Sequence, residues 1–358
     1  MKQQLVTHHS LCVLLIIVVL IVQYTPVASQ DGRAVSEVGV YPPSSSLWID
    51  TDMGLDDVRA ITALVAGSER TALLLTTVDG SSSAEAGARN VAGLMDLLGC
   101  NTLPVFSGSR NAISGDPSKA PFWRTVCEPA VRDLVKGQLA FRAYQCVPER
   151  DAIEQVAHIL NPSRGKVTVI CLGPLTNLAR LLDASPQVAQ RIAVVYFQGG
   201  NLLNPERDSW NVARDPIAAG RVLASKVPIV LIGSTACSQV RYPADEFRRF
   251  RGEGNVTRRV LRATFRPQHV MARLRQGKLH AWDEVVAALV LDHSLGKMKG
   301  PYKLKVGDNG ATVLTDDSWD GSAWVVSEVD GTGILKRLHA AWKARGSRPT
   351  AGKLEVLR

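Results

Sequence analysis

The sequence predicts an α/β protein with an open, mostly parallel central sheet and helices on both faces. Uninterrupted apolar runs at residues 167–172, 192–197 and 229–232 are typical of strands that are buried on both sides. Segments with apolar residues at helical spacing lie between such runs, so strands alternate with helices along the chain.

The N-terminal half predicts the same alternation. Strands are expected at 46–49, 71–78 and 103–106, and helices at 57–67, 84–98 and 151–160. Residues 107–150 are rich in Gly, Pro and Ser, which predicts a long irregular segment with some helix. No linker divides the chain, so we expect residues 30–358 to form a single domain.

The first residues form a leader of different character. Lys2 and two histidines precede twelve consecutive apolar residues, 11–22, which is shorter than the roughly 20 residues that span a membrane. Val27-Ala28-Ser29 then gives a small-residue cleavage pattern. We therefore predict a signal peptide over residues 1–29, a secreted protein and no stable membrane insertion. A signal anchor that stays attached is the alternative.

The chain is basic, with a formal net charge of +9 at pH 7. Such a surface can attract nucleic acid or anionic lipid, and arginines cluster at 248–251 and 258–262. Base-stacking aromatic residues do not alternate with them, as a groove for single-stranded nucleic acid requires. We therefore expect a solvated basic surface and no nucleic-acid partner. The oligomeric state stays open, a homo-oligomer included.

Five cysteines follow the leader. An odd number excludes complete pairing within one chain, and no C-x-x-C spacing indicates zinc. Cys171 lies in an apolar run and is expected to be buried. Cys127 and Cys146 share the irregular segment, and a disulfide between them is the one pairing that we consider.

An acidic turn is the most informative motif. Asp50-Thr51-Asp52-Met53-Gly54-Leu55-Asp56-Asp57 places four carboxylates within eight residues, between a predicted strand and a predicted helix. Helix capping explains one or two of these acids, but four repel one another unless a cation neutralises them. Calcium and magnesium prefer oxygen ligands, and Gly54 would let the chain turn tightly around the ion. The motif therefore predicts a divalent-metal site.

The D-T-D-x-G-x-D-D pattern resembles the inosine-uridine nucleoside hydrolase family. Weaker matches follow in family order over about residues 46–342: G-P-L-T-N at 173–177, Gln198-Gly199-Gly200, Ser209-Trp210-Asn211 with Asp215-Pro216, and Trp282-Asp283. The resemblance implies a Rossmann-like hydrolase fold, Ca²⁺ as cofactor, a nucleoside as substrate, and hydrolysis of the N-glycosidic bond of ribonucleosides to ribose and free base.

The resemblance also assigns metal ligands and a base. Asp52 would bind calcium and act as the general base that takes a proton from the attacking water. Asp57 would bind calcium through both oxygens, and the carbonyl of Leu172 and the carboxylate of Asp283 would complete the protein ligands. Asp56 and Asn211 would hold ribose hydroxyls, and Asn204 is a looser candidate for the 5′ end of the sugar.

Two tryptophans indicate the base preference. One branch of the family has His before the last Asp as an acid, where this chain has Trp282. The purine-specific branch, to which the resemblance is closest, has Trp there and a second Trp in an earlier loop, where this chain offers Trp123. Stacking on both would help a departing purine accept a proton, and His280 is a further proton-donor candidate. A hydrolase of pyrimidine or other N-ribosides is the alternative.

Two positions depart from the family pattern. Ser209 stands where the family has Glu, and Ser81 stands where it has Asn after T-T-V-x-G. The lost groups contact ribose or its attacking water, so we expect weaker ribose binding or a changed sugar preference, with Ser209 kept as a substrate-binding candidate. A secreted binding protein on a degenerate hydrolase scaffold is a further alternative, which the intact acids argue against.

Overall fold

The computed structural model describes residues 43–114, 122–160, 165–200, 209–251, 255–307, 312–315 and 321–344. The predicted signal peptide and Asn204 lie outside these residues, so both stay predictions. Within the described part of the chain, no helix combines the length and the apolar composition needed to cross a membrane.

Eight strands form the central sheet in the order β3-β2-β1-β4-β5-β6-β10-β7. Neighbours are parallel except β7, which pairs antiparallel with β10. A small antiparallel sheet joins β8 and β9. The strands are β1 Ser46–Thr51, β2 Thr71–Thr77, β3 Val105–Ser107, β4 Val167–Cys171, β5 Ile192–Gln198, β6 Ile229–Ile232, β7 Gly296–Tyr302, β8 Leu304–Val306, β9 Thr312–Leu314 and β10 Ala323–Val329. The predicted open, mostly parallel sheet is confirmed.

Helices fill the connections between the strands. They are α1 Leu55–Gly67, α2 Ala84–Leu97, α3 Arg124–Val135, α4 Leu139–Ala143, α5 Glu149–Leu160, α6 Thr176–Ala184, α7 Trp210–Arg214, α8 Pro216–Ala224, α9 Ser234–Cys237, α10 Val256–Phe265, α11 Gln268–Arg275, α12 Asp283–Leu291 and α13 Gly331–Lys343. Short 3-10 helices lie at Pro186–Arg191, Glu246–Phe250 and His293–Leu295.

Two apolar cores lie on opposite faces of the sheet. Side chains alternate along a strand, so Leu47 and Ile49 of β1 join the core that includes α1, α12 and α13, whereas Trp48 joins the core of α6 and α8. All five side chains of β4 are buried, because helices cover both faces. This explains why the central strands read as continuous apolar runs.

The segment predicted as irregular is more helical than expected. It contains α3, α4 and the start of α5, because Cys127, Val131 and Val135 recur every four residues and bury one face of α3. The disulfide considered between Cys127 and Cys146 is wrong: both cysteines are free, and Cys127 is turned into the core. Cys171 is buried, as predicted.

The carboxylate of Asp215 accepts hydrogen bonds from three segments: the loop at residues 113–114, the start of α6 and the start of α8. Its carboxylate accepts hydrogen bonds from the backbone N–H of Ile113 (2.7 Å), the hydroxyl of Ser114 (2.7 Å), the hydroxyl of Thr176 (2.7 Å) and the first turn of α8 through Ala218 N (3.1 Å). The residue is fully buried, so each of these donors depends on it.

We predict that Asp215→Ala lowers the free energy of unfolding by about 3 kcal/mol or more, because several buried donors lose their acceptor. Chemical denaturation measures the change. Asp183→Ala is the matched control, because Asp183 pairs with Arg221 where both side chains are about half exposed and such pairs contribute about 0–1 kcal/mol. Equal losses in the two variants would contradict the role given to Asp215.

Candidate active site

The acidic turn lies at the carboxyl end of β1, the strand between β2 and β4. Parallel strands all end at this edge of the sheet, which is where α/β proteins bind ligands. Asp52 follows β1 directly, and Asp56 and Asp57 lie in the first turn of α1. Asp283 begins α12, which packs along α1. The structure therefore brings the four predicted acids together.

The turn is built differently from the prediction for Gly54. Met53 adopts the left-handed conformation (φ 56°), whereas Gly54 is extended (φ −76°, ψ −173°). Glycine is needed at position 54 because a Cβ there would lie 2.8 Å from Asp56 Oδ1 and 3.0 Å from Asp57 Oδ2. Its N–H donates to Asp57 Oδ2 (2.8 Å), and the Thr51 hydroxyl donates to the other Asp57 oxygen.

Asp52 is wedged between two glycines. A Cβ on Gly80 would lie 2.1 Å from Asp52 Oδ2, and one on Gly173 would lie 2.8 Å from Asp52 Cβ. The N–H of Ser81 donates to Asp52 Oδ2 (2.7 Å), and that of Ser82 donates to the Asp52 carbonyl (2.8 Å). The loop after β2 thus holds Asp52 through two hydrogen bonds, one to its carboxyl and one to its backbone carbonyl.

The carboxyls crowd one another. Oxygens of Asp56, Asp57 and Asp283 all lie within 4.8 Å of each other, and the Asp52 and Asp283 carboxyls both contact that of Asp57. Burial, followed by the charge of Asp57, raises the pKa of Asp56 to about 7. The same two causes raise the pKa of Asp52 and of Asp283 well above the usual range.

Asp50, the first acid of the motif, faces elsewhere. The Asn177 side chain donates to its carboxylate (2.7 Å) and to the carbonyl of Thr77 (3.0 Å), and the Thr76 hydroxyl also donates to it. Asn177 therefore joins the ends of three segments beneath the site. Burial raises the pKa of Asp50 to about 7.

Asn211 lies beside the predicted carbonyl ligand. Its side-chain N–H₂ donates to the carbonyl of Leu172 (2.7 Å) and to the carbonyl and side-chain oxygen of Gln198 (both 2.8 Å). Its Oδ1 is buried in the cavity wall and has no hydrogen-bond partner among the described residues. The hydroxyl of Ser209 accepts from Gly200 N (3.0 Å).

A cavity of about 330 Å³ opens above the acids. Trp123 and Trp282, both predicted from the sequence, line it, with Trp123 40% exposed. Three further residues, Trp210, His269 and Arg273, line the cavity without having been predicted from the sequence. The Trp123 ring lies 5.9 Å from that of His269, and the His280 ring lies 6.2 Å from that of Trp282.

The sequence matches the model of one known protein family over most of its length. A model described as "Inosine-uridine preferring nucleoside hydrolase" matches residues 47–336, which is most of the chain. The chain belongs to the inosine-uridine preferring nucleoside hydrolase family. Every acid of the cavity floor lies within the matched residues.

Relatives within this hydrolase family have different named substrates. The pyrimidine-specific ribonucleoside hydrolase RihA of Citrobacter koseri is 30% identical over 210 residues, 58% of this chain and 65% of that protein. Uridine nucleosidase 1 of Arabidopsis thaliana is 29% identical over 223 residues, 59% of this chain and 63% of that protein. These alignments cover just under two thirds of either relative.

Solved hydrolase structures share the fold. A purine-preferring ribonucleoside hydrolase from Gardnerella vaginalis superposes with a TM-score of 0.69 at 20% identity, over 83% of this chain and 98% of that chain. The inosine-uridine preferring nucleoside hydrolase from Bacillus anthracis gives a TM-score of 0.68 at 21% identity, over 84% and 99%. At these identities the likeness establishes the fold alone.

This member of the hydrolase family holds its cavity walls with two ion pairs to one buried carboxylate, that of Asp79. Asp79, which precedes Gly80, pairs with Arg124 (2.6 Å) and with Arg214. Arg124 follows Trp123, and Arg214 ends the helix that carries Trp210 and Asn211. One buried carboxylate thus joins the Asp52 loop to both aromatic walls.

A buried ion pair also joins α1 to α12. Arg59 of α1 pairs with Glu284 of α12, and the Tyr242 hydroxyl donates to the same Glu284 oxygen (2.9 Å). The other Glu284 oxygen accepts from Trp282 N (2.9 Å). This pair was not predicted, although an arginine on the apolar face of the predicted helix was a signal for it in the sequence.

We predict that Gly80→Ala lowers the free energy of unfolding by about 1–3 kcal/mol, because the new methyl group overlaps the Asp52 carboxyl and the loop must shift. Thermal or urea denaturation checks this. Gly137→Ala is the control, since a Cβ there meets no atom within 4 Å, and a change within about 0.5 kcal/mol is expected. An unchanged free energy of unfolding in Gly80→Ala would show that Gly80 does not confine the Asp52 carboxyl as described.

Proposed function

We propose that this protein hydrolyses the N-glycosidic bond of ribonucleosides with calcium bound at the acidic turn. The observation that supports this most strongly is the convergence of four carboxyls on the floor of a cavity with aromatic walls, where Asp52, Asp57 and Asp283 are buried and Asp56 is partly buried. Family membership supports the same reaction class.

The donor set fits a hard divalent cation. Asp57 and Asp283 carry oxygens within 4.8 Å of each other, Asp52 contacts Asp57, and Leu172 is a residue of the cavity wall. We assign the metal to Asp52, Asp57, Leu172 and Asp283. A bound calcium ion supplies positive charge that offsets the repulsion among the carboxylates and polarises water.

Asp52 is the proposed general base. Its carboxyl is held from one side by Ser81 N (2.7 Å) and confined by Gly80 and Gly173, so it points in one direction. Asp52 takes a proton from water as that water attacks C1′, and the bond to the base breaks with its electron pair on the base nitrogen. The departing base takes up a proton from solvent, and Asp52 returns its own proton to solvent before the next turnover. The neighbouring carboxylates favour the oxocarbenium-like transition state electrostatically.

The ribose is assigned to Asp56 and Asn211. Buried polar atoms almost always have a hydrogen-bond partner, and Asn211 Oδ1 has none among the described residues. A ribose hydroxyl that donates to this oxygen would satisfy it. Ser209, whose hydroxyl is already engaged by Gly200 N, contributes less than the family's Glu would.

We propose a purine preference, because Trp123 and Trp282 both line the cavity. A purine presents a larger π surface to an aromatic ring than a pyrimidine does, and each aromatic pair contributes about 0.5–1.5 kcal/mol beyond area burial. Trp282 is a positioning and stacking group here, since an indole cannot protonate the departing base.

Pyrimidine nucleosides are the second candidate substrates. His269 and His280 line the same cavity, and the curated relatives above are named for pyrimidines or uridine. Burial first, and then nearby arginines, lower the pKa of both histidines, so both are mostly neutral at pH 7 and supply protons weakly. Because protonation of a departing pyrimidine would depend on such an acid, we place pyrimidine nucleosides second as substrates.

We further propose that the chain is exported through residues 1–29 and acts outside the cytosol. The apolar run at 11–22 and the Val27-Ala28-Ser29 pattern support this. N-terminal sequencing of the exported protein is expected to begin near Gln30.

We predict that Asp52→Asn lowers kcat by about 10²–10⁴-fold, because an amide cannot accept the proton. The constants kcat and KM are compared at saturating calcium, because Asp52 is also an assigned metal ligand and the amide, although it has the same shape and can still accept from Ser81 N, binds a divalent cation more weakly. Steady-state release of base from a nucleoside measures both constants. A variant with the kcat of the wild type would exclude Asp52 as the base.

We predict that kcat/KM for inosine, adenosine or guanosine exceeds that for uridine and cytidine by about tenfold or more. Two aromatic faces supply roughly 1–3 kcal/mol, and about 1.4 kcal/mol corresponds to tenfold. A panel of nucleosides with the purified protein measures this ratio. Equal values for inosine and uridine would contradict the purine proposal, and no release from any nucleoside would favour a binding protein.

The panel has a matched pair of variants. Trp123→Ala removes a cavity wall and should lower the purine-to-pyrimidine ratio. Phe122→Ala is the control, because Phe122 is 73% exposed and lies edge-on to Trp123 without lining the cavity. A ratio that survives both substitutions would remove Trp123 from base selection.

A further inference from the structure

Almost all of the net charge of the chain lies in one stretch. Residues 241–280 contain eleven arginines and lysines and three acids, which leaves +8 of the total formal charge of +9. Ten of the eleven cations are arginine. The stretch forms the 3-10 helix Glu246–Phe250, α10 and α11, and every cation in it except Arg262 is exposed.

Helix α10 shows the arrangement most clearly. Its inward face is apolar and buried, whereas Arg258, Arg259 and Arg266 are exposed on the other side and the helix carries no acid. Arg262 lies between them at one-turn spacing and covers the ring of Phe247 at 5.5 Å, which joins α10 to the 3-10 helix. Like charges at this spacing destabilise a helix, so folding does not account for them.

Neutralising partners are few. Among the described residues, one cation of this stretch, Arg249, forms an ion pair with an acid, Glu246 (3.1 Å). The proposed substrate does not account for the charge either. A nucleoside is uncharged, so a positive field does not accelerate its capture.

We propose that the arginine surface, formed by Arg248, Arg251, Arg258, Arg259 and Arg266, binds a sulfated polysaccharide. A guanidinium offers paired N–H donors that match the oxygens of a sulfate ester, and arginine outnumbers lysine here by ten to one. A linear chain of regularly spaced sulfates can contact several of these arginines at once. The predicted export of the protein also points to a partner outside the cytosol.

Two other polyanions fit less well. None of the large exposed apolar side chains of the described residues, Phe122, Trp123, Leu139, Trp210 and Ile217, belongs to the arginine surface. Trp123 contacts His269 of α11 but lines the cavity, so the arginine surface itself offers no apolar side chain for insertion into lipid. The four Phe and Tyr rings of residues 241–280 are also unavailable for stacking on nucleic-acid bases. Tyr242, Phe250 and Phe265 are buried, and Phe247 is partly buried under Arg262.

A pair of matched variants tests the proposal. One carries Arg248→Gln, Arg258→Gln, Arg259→Gln and Arg266→Gln; the other carries Lys297→Gln, Lys299→Gln, Lys303→Gln and Lys305→Gln. Both remove four exposed charges, but the lysines lie on β7, β8 and the turn between them. Binding of the purified protein to immobilised heparin, to duplex DNA and to phosphatidylserine vesicles is measured over a series of salt concentrations that includes about 0.15 M, where exposed charges beyond about 8 Å are screened.

The arginine variant should bind heparin at least about tenfold more weakly than the wild type, and the lysine variant within about threefold. The slope of log K against log salt for heparin binding should become shallower by about three to four in the arginine variant only. Each arginine contact that is lost means that about one counterion fewer is released on binding. Thermal stability and nucleoside turnover should be unchanged in both. Equal losses in the two variants, or tighter wild-type binding to DNA or vesicles than to heparin, would overturn the proposal.

Discussion

Mutual repulsion among four carboxyls at the end of the central strand is the constraint on which the rest of the site depends. Two like charges about 4 Å apart repel by about 4 kcal/mol near a protein surface, and Asp56, Asp57 and Asp283 lie closer than 4.8 Å. The fold offsets part of this repulsion, because α1 and α12 both begin at the cluster and their N-terminal dipoles favour negative charge. The proposed cation would offset the remainder.

The surroundings of the acids serve to hold this arrangement in one geometry. Gly54, Gly80 and Gly173 are present because a Cβ at each would overlap an acid of the turn. Buried ion pairs then lock the elements that carry the acids: Arg59 with Glu284 joins the two helices, and Asp79 with its two arginines joins the Asp52 loop to the walls. Loss of one partner of a buried pair leaves an uncompensated charge, which commonly costs about 3–5 kcal/mol.

The sequence was informative where local pattern and chemistry coincide. The parallel sheet was predictable because strands covered on both faces must be apolar throughout, as β4 is. Four acids in eight residues have few stable explanations, so an acidic cluster at the end of β1 was predictable too, although Asp50 faces away from it. The left-handed Met53 and the extended Gly54 were not, because the need for glycine arises from the side chains of Asp56 and Asp57, which fold back over it.

Contacts between distant segments could not be read from the sequence. Trp210, His269 and Arg273 meet at one cavity although about sixty residues separate the first from the last, and no local pattern indicates that they share it. The helices within residues 107–150 were obscured because Gly, Pro and Ser hid the four-residue spacing of Cys127, Val131 and Val135. Ion pairs such as Arg214 with Asp79 join residues 135 apart, so they follow from topology alone.

The central claim, that a calcium ion stabilises the crowded carboxyls, is tested most directly by thermal unfolding of the chelated protein with and without added calcium. A ligand at 100 times its Kd stabilises the folded state by about 2.7 kcal/mol, which predicts a rise in Tm of about 5 °C or more. Asp57→Asn, which keeps the shape of the side chain and removes one charge, should abolish most of that rise. An identical Tm with and without calcium in the wild type, or an undiminished rise in Asp57→Asn, would contradict the claim.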